Sequence, residues 1–235
     1  MRFPNAYKGV TKLYYAQIMD VVMASLTLVF VLAVIRLSID SVIAQVVFGG
    51  FALLVLFTLR ICIFTLRIVG LIQAKKDEKG FFSALIVSCV ALVFSFLQLM
   101  TTTGQEIIAG WLNIGVTLCF LISIELILIG IHNLGKALNS PSIVFATSRT
   151  QLLMVIFYTI IILLEIYRNT PNMSEQVVAV IEAVLEFIAD LLLAIYLGKA
   201  RKVLMEREDA PREGEVKEGA AHAGEMPESA AREGK

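Results

Sequence analysis

The 235 residues are 58% hydrophobic and 17% charged, well short of the roughly 25% charged residues of an ordinary soluble domain. The formal charge of zero hides an asymmetry, with 15 Lys and Arg against 11 Asp and Glu in residues 1–205 and 5 against 9 in residues 206–235. Nothing forms a nucleic-acid-binding stripe, and the apolar runs of about 20 residues match the thickness of a bilayer, so the expected class is all-α: a polytopic integral membrane protein of six transmembrane helices in three hairpins.

Residues 1–17 read as a short basic and aromatic lead-in, with Arg2, Lys8, Lys12, Tyr7, Tyr14 and Tyr15 placed as interfacial anchors. A six-helix domain over residues 18–205 follows. The first helix is expected over about 18–38 and the second over 42–72, the latter roughly 46 Å long at 1.5 Å per residue and so obliged to tilt or protrude. Lys75-Lys76-Asp77-Glu78-Lys79-Gly80 ends that pair. The third helix, 81–100, carries Ala84, Ser88, Ala91 and Ser95 at the spacing of a small-residue seam that admits a neighbouring backbone. The fourth spans about 108–134. A long loop over 136–150 is expected next, around the turn signal Asn139-Ser140-Pro141. The last two helices are placed at 151–167 and about 174–198, and a charged tail over 206–235, almost without apolar residues, is expected to be disordered.

The three even helices end alike, at Gly70 to Lys76, Gly130 to Lys136 and Leu193 to Lys199, as three repeated hairpins would. Lys and Arg near the helix ends number twelve on the side of the termini and two, Arg36 and Arg168, on the other. By the positive-inside rule both termini are cytoplasmic, and the expected location is the plasma (inner) membrane as a multi-pass protein. Cys62, Cys89 and Cys119 lie in three separate apolar runs without CxxC spacing and read as buried packing residues.

Chemistry concentrates in charges inside the apolar runs. Glu182, Glu186 and Asp190 recur every four residues on one face of the sixth helix. Three central acids cost about 7 to 10 kcal/mol on an insertion scale, against about 4 to 8 returned by the surrounding Val, Ile, Leu and Phe, so this helix needs a bundle to shelter its acidic face. By depth, Arg67 is expected to pair with Asp190 or Asp20, and Arg60 with Glu186 or Glu125. The candidate network is therefore Glu182, Glu186, Asp190, Glu125, Arg60, Arg67 and Asp20, with acids in excess over bases. In the competing reading Arg60 snorkels to the interface, and Asp20 and Glu165, near helix ends, are wet.

No catalytic, metal or cofactor motif stands out, and the chain is read as a non-enzyme. The leading functional expectation is a non-catalytic membrane scaffold or assembly partner. The alternative is a small proton- or cation-coupled transporter or channel subunit using the carboxylates of the sixth helix. Expected partners are the lipid bilayer and either a second copy or other membrane proteins.

Overall fold

The computed structural model describes residues 3–37, 42–101, 106–168 and 175–206. The described residues form six helices and no strands: α1 (Pro4–Leu37), α2 (Val42–Ala74), α3 (Gly80–Met100), α4 (Glu106–Ala137), α5 (Pro141–Arg168) and α6 (Glu175–Glu206). Five of them are long and apolar enough to cross a membrane; α6 is not among these, because its acids dilute the apolar run. The expected disordered tail, from Arg207 onward, lies outside the described residues.

Two expectations about the elements are corrected. The lead-in is not separate from the first helix, since α1 begins at Pro4. Its first turn has a partner that local sequence cannot reveal: Asp77, in the turn after α2, accepts hydrogen bonds from the backbone N–H of Ala6 at 2.7 Å and from Asn5 Nδ2 at 3.0 Å. A carboxylate there satisfies an otherwise orphaned amide and complements the positive end of the helix dipole. Ala6, Val10 and Leu13 are then buried, and Gly9 approaches α2 so closely that a Cβ on it would lie 2.6 Å from the carbonyl oxygen of Gly70.

The loop expected over 136–150 shrinks to Leu138, Asn139 and Ser140. Asn139 adopts a left-handed φ of 49°, while Ser140 N–H bonds back to Gly135 O at 2.9 Å and Asn139 N–H to Lys136 O at 3.0 Å. These two bonds close α4 as a Schellman stop. Pro141 then opens α5, its fixed φ suiting the first helical position where no donor is needed. The residues assigned to the loop are held by packing: Ile143 is buried against Gly135.

Each helix packs on its neighbours in the chain, and α6 packs on α1, so the six close a ring. Contacts between successive helices run in opposite directions, as in Gly9 against Gly70 and Asp20 against Arg67, or Gly80 against Gly130 and Ser88 against Ser123. The small-residue seam of α3 meets α4 as expected, with Ser88 and Ser123 hydroxyls 2.8 Å apart and both bonded to Ala84 O.

One end of the ring is filled. Val10, Leu71, Phe81, Leu128, Ile131, Leu134, Leu193 and Leu197 belong to one cluster of buried side chains at the end that holds the α2–α3 and α4–α5 turns. Phe81 lies against Gly130, where a Cβ would meet its ring at 2.9 Å, and Thr147 and Tyr196 hydroxyls, 2.5 Å apart, join α5 to α6. The outer faces carry exposed apolar stripes, for instance Ile18, Val22 and Val29 on α1 and Val177, Ile181, Leu191 and Ile195 on α6. Cys62 and Cys89 are exposed and Cys119 partly so, correcting their expected burial: in a ring of apolar helices an apolar position can face outward as readily as inward.

Candidate functional site

Above the filled end, polar side chains turn inward in two layers. The lower layer joins three helices. Arg67 of α2 forms a buried ion pair with Asp20 of α1 at 2.7 Å, and the same guanidinium nitrogen lies 3.5 Å from Gln17 Oε1. Gln17 in turn donates from Nε2 to Asp190 Oδ1 of α6 at 2.8 Å and, more weakly, to Asp190 O at 3.4 Å. Asp20, Gln17 and Arg67 are nearly inaccessible. Such a set is stable only because each charge has a partner; removing one leaves the other buried and uncompensated.

The upper layer belongs to α4, α5 and α6. Glu165 Oε1 accepts from Asn113 Nδ2 and Thr117 Oγ1, each at 2.9 Å, and Gln98 of α3 donates to Asn113 Oδ1 at 3.3 Å. Glu165 is 8% exposed, and its second oxygen, Oε2, is buried without a partner. Glu182 pairs loosely with Arg168 at 3.7 Å, and its Oε1 is likewise buried and unpartnered. Asn113 and Thr117, four residues apart, share one face of α4.

Glu186 decides what fills the space between these groups. It lies nine residues after Val177, or two and a half turns, and so projects from the side of α6 opposite the outward apolar stripe. Its electrostatic neighbours are Arg60, Glu182 and Asp20, from three helices of the ring. Glu186 is nevertheless exposed, as is Arg60, on the same face of α2 as Arg67. An inward-facing side chain that keeps exposed surface means that packing around the inner face of α6 is incomplete at this level.

Arg60 has no carboxylate within 4 Å among the described residues; it lies over the Phe120 ring at 5.2 Å, with Arg67 over the same ring at 5.4 Å. Both arginines, Asp20, Ser88, Ser95 and Phe120 line a cavity of about 360 Å³ between α2 and α3. Its outer lip is apolar, with Phe57 and Phe96 exposed.

The candidate residues thus divide. Asp20, Arg67 and Asp190 come together, linked by Gln17; Arg60, Glu182 and Glu186 face the same interior without direct pairing to one another. Glu125 does not join them: its polar neighbour is Gln151 of α5, and it pairs with neither arginine. Asp20 and Glu165 are buried, not wet, because closure of the ring covers positions that seem close to helix ends when a helix is considered alone. Sequence reading missed Gln17, Asn113, Thr117 and Phe120; for the α4 pair the signal was a polar residue repeated at i and i+4 in an apolar helix.

Among the described residues no three His, Cys, Asp or Glu side chains gather as a metal site. Compared with known families, curated proteins and solved structures, the chain matches none.

Proposed function

We propose that this chain is a multi-pass membrane protein whose six helices cross as three hairpins with both termini cytoplasmic, and that the interior of its ring handles a proton or a small cation. The observation that carries the reading is Glu186: an acid on the inner face of α6 that keeps exposed surface and has no closed ion pair among the described residues. A purely structural charge would be expected to end in a closed pair, as Asp20 and Arg67 do. Five acids, Asp20, Glu165, Glu182, Glu186 and Asp190, face inward against Arg60 and Arg67, with Arg168 at the edge. An excess of inward carboxylates in an apolar surround favours a bound proton or cation.

Membrane insertion is supported by the exposed apolar stripes and the inward charges, and orientation by the twelve-to-two Lys and Arg asymmetry. With native cysteines removed, single cysteines at Asp40, Gly104 or Asn172 should react with an impermeant thiol reagent from outside intact cells, and one at Asp77 should not; the reverse pattern rejects the orientation. For the site, Glu186→Gln preserves shape but removes the charge, so the folded protein should persist while proton-gradient-driven or cation flux in proteoliposomes disappears. Wild-type vesicles without proton, sodium or potassium flux reject the cation reading.

One feature supports a scaffold instead. The Gln17, Asp20, Arg67 and Asp190 set ties α1, α2 and α6 together, with Gln17 Nε2 donating to Asp190 and its Oε1 facing Arg67. In that reading Glu186→Gln leaves all functions intact and only pair-breaking substitutions matter.

A further inference from the structure

The seam that closes the ring is grooved on its outside. Between α1 and α6 lies a cavity of about 580 Å³. At one end its wall is apolar, made by Ile18 and Val22 of α1 and Leu191 and Ile195 of α6; Val22 is 47% and Ile195 52% exposed, so no described residue covers them. At the other end stand Lys199, Arg201 and Lys202, and no lining residue is acidic.

The basic end is preorganised. Gly198 leaves room for Tyr14, whose ring would lie 3.2 Å from a Cβ at that position. The Arg201 guanidinium sits 5.7 Å from the centroids of both Tyr14 and Tyr15. Aromatic faces hold a cation by their quadrupole but, unlike a carboxylate, do not neutralise it. The positive charge is therefore fixed in place and still available to an anion. Lys199 and Lys202 are exposed beside it.

The spacing matches a lipid. From Leu191 to Lys202 is eleven residues, about 16 Å along the helix, close to the roughly 15 Å of hydrocarbon in one leaflet of a 30 Å bilayer core. We propose that this groove binds one anionic glycerophospholipid of the cytoplasmic leaflet, its phosphate among Lys199, Arg201 and Lys202 and an acyl chain along Ile18, Val22, Leu191 and Ile195. The proposal rests on the membrane reading above but not on transport. A lipid so placed bridges the first helix to the last, and its occupancy would set how firmly the ring is closed.

The test is native mass spectrometry of the full chain in detergent, offered phosphatidylglycerol or phosphatidylcholine with the same acyl chains. Each surface cation favours an anionic lipid about fivefold. With three such cations the wild type should retain phosphatidylglycerol roughly a hundredfold better, and Lys199→Gln with Lys202→Gln should reduce that preference about twenty-five-fold, leaving about the fivefold of Arg201 alone, while Lys199→Arg with Lys202→Arg should keep it. Lys136→Gln with Arg149→Gln, which removes the same charge from α4 and α5, should change nothing. Equal retention of the two lipids by the wild type, or equal loss in the α4 and α5 control, overturns the groove. Extraction of the wild type from membranes by alkaline carbonate would instead reject the membrane reading and the groove with it; an integral protein without lipid preference rejects the groove alone.

Discussion

The two ends of the ring are built on opposite principles. At the end holding the α2–α3 and α4–α5 turns, glycines and alanines bring backbones together and large side chains fill what remains: Gly9 on Gly70, Phe81 on Gly130, Ile143 on Gly135. Further along the same helices the inner positions pass to Gln17, Asp20, Arg67 and Asp190, then to the buried Glu165 and to Arg60 and Glu186, which keep exposed surface. Along the inner faces the chain changes from positions that cannot tolerate added volume to a buried ion pair that cannot tolerate the loss of one partner.

Four substitutions test that contrast. The largest effect should come at the boundary: Arg67→Gln leaves Asp20 buried without its partner, a loss of about 3 to 5 kcal/mol, seen as a fall in thermal unfolding temperature in detergent. Arg67→Gln with Asp20→Asn should recover part of it; no recovery would mean that the pair is not the source. At the sealed end, Gly9→Val forces a side chain against the Gly70 carbonyl and should cost about 1 to 3 kcal/mol as overpacking by the same measurement. A neutral result there would show that α1 and α2 can separate without harm. Asp77→Ala removes a carboxylate from the first turn of α1 and should cost about 1 kcal/mol, as loss of a helix cap does; Asp77→Asn should cost less, and hydrogen exchange at Ala6 should report the difference. The smallest stability effect belongs to Glu186→Gln, within about 0.5 kcal/mol because its side chain keeps exposed surface and holds no closed ion pair among the described residues. A large loss in that variant would mean a closed structural core around it.

The number of helices, most of their boundaries and the small-residue seam of α3, though not its partner α4, were legible in the sequence, because long apolar runs and small residues every three or four positions report on local geometry. Depth along the helices, a one-dimensional quantity, left Arg67 with either Asp190 or Asp20, and did not decide between them. What escaped required the second and third dimensions. Asp77 caps a helix that begins 73 residues earlier in the chain, so the partner of that first turn has no local signal. Asn139-Ser140-Pro141 was recognised as a turn but not as a complete one, since a helix stop and a helix start can overlap within three residues. Glu125 shares the depth of Arg60 but points elsewhere around the helix, toward Gln151, and depth alone carries no azimuth. The same gap hid the burial of Glu165 and the outward exposure of Cys62.

The contact between Gln17 and Asp190 spans 173 residues of chain, which makes closure of the ring an event in time as well as a shape. Long-range contacts form late, after the entropy of the intervening chain has been lost, and α6 is synthesised after the five helices described before it. Until it arrives Gln17 has no Asp190 to bond, and the inner faces of α1 and α5 stand open along one side. A nascent five-helix chain therefore exposes its polar interior as a recognisable mark of incompleteness. Chains truncated before α6 should be removed by quality-control proteases much faster than chains truncated after Glu206, which have lost the charged tail but already closed the ring.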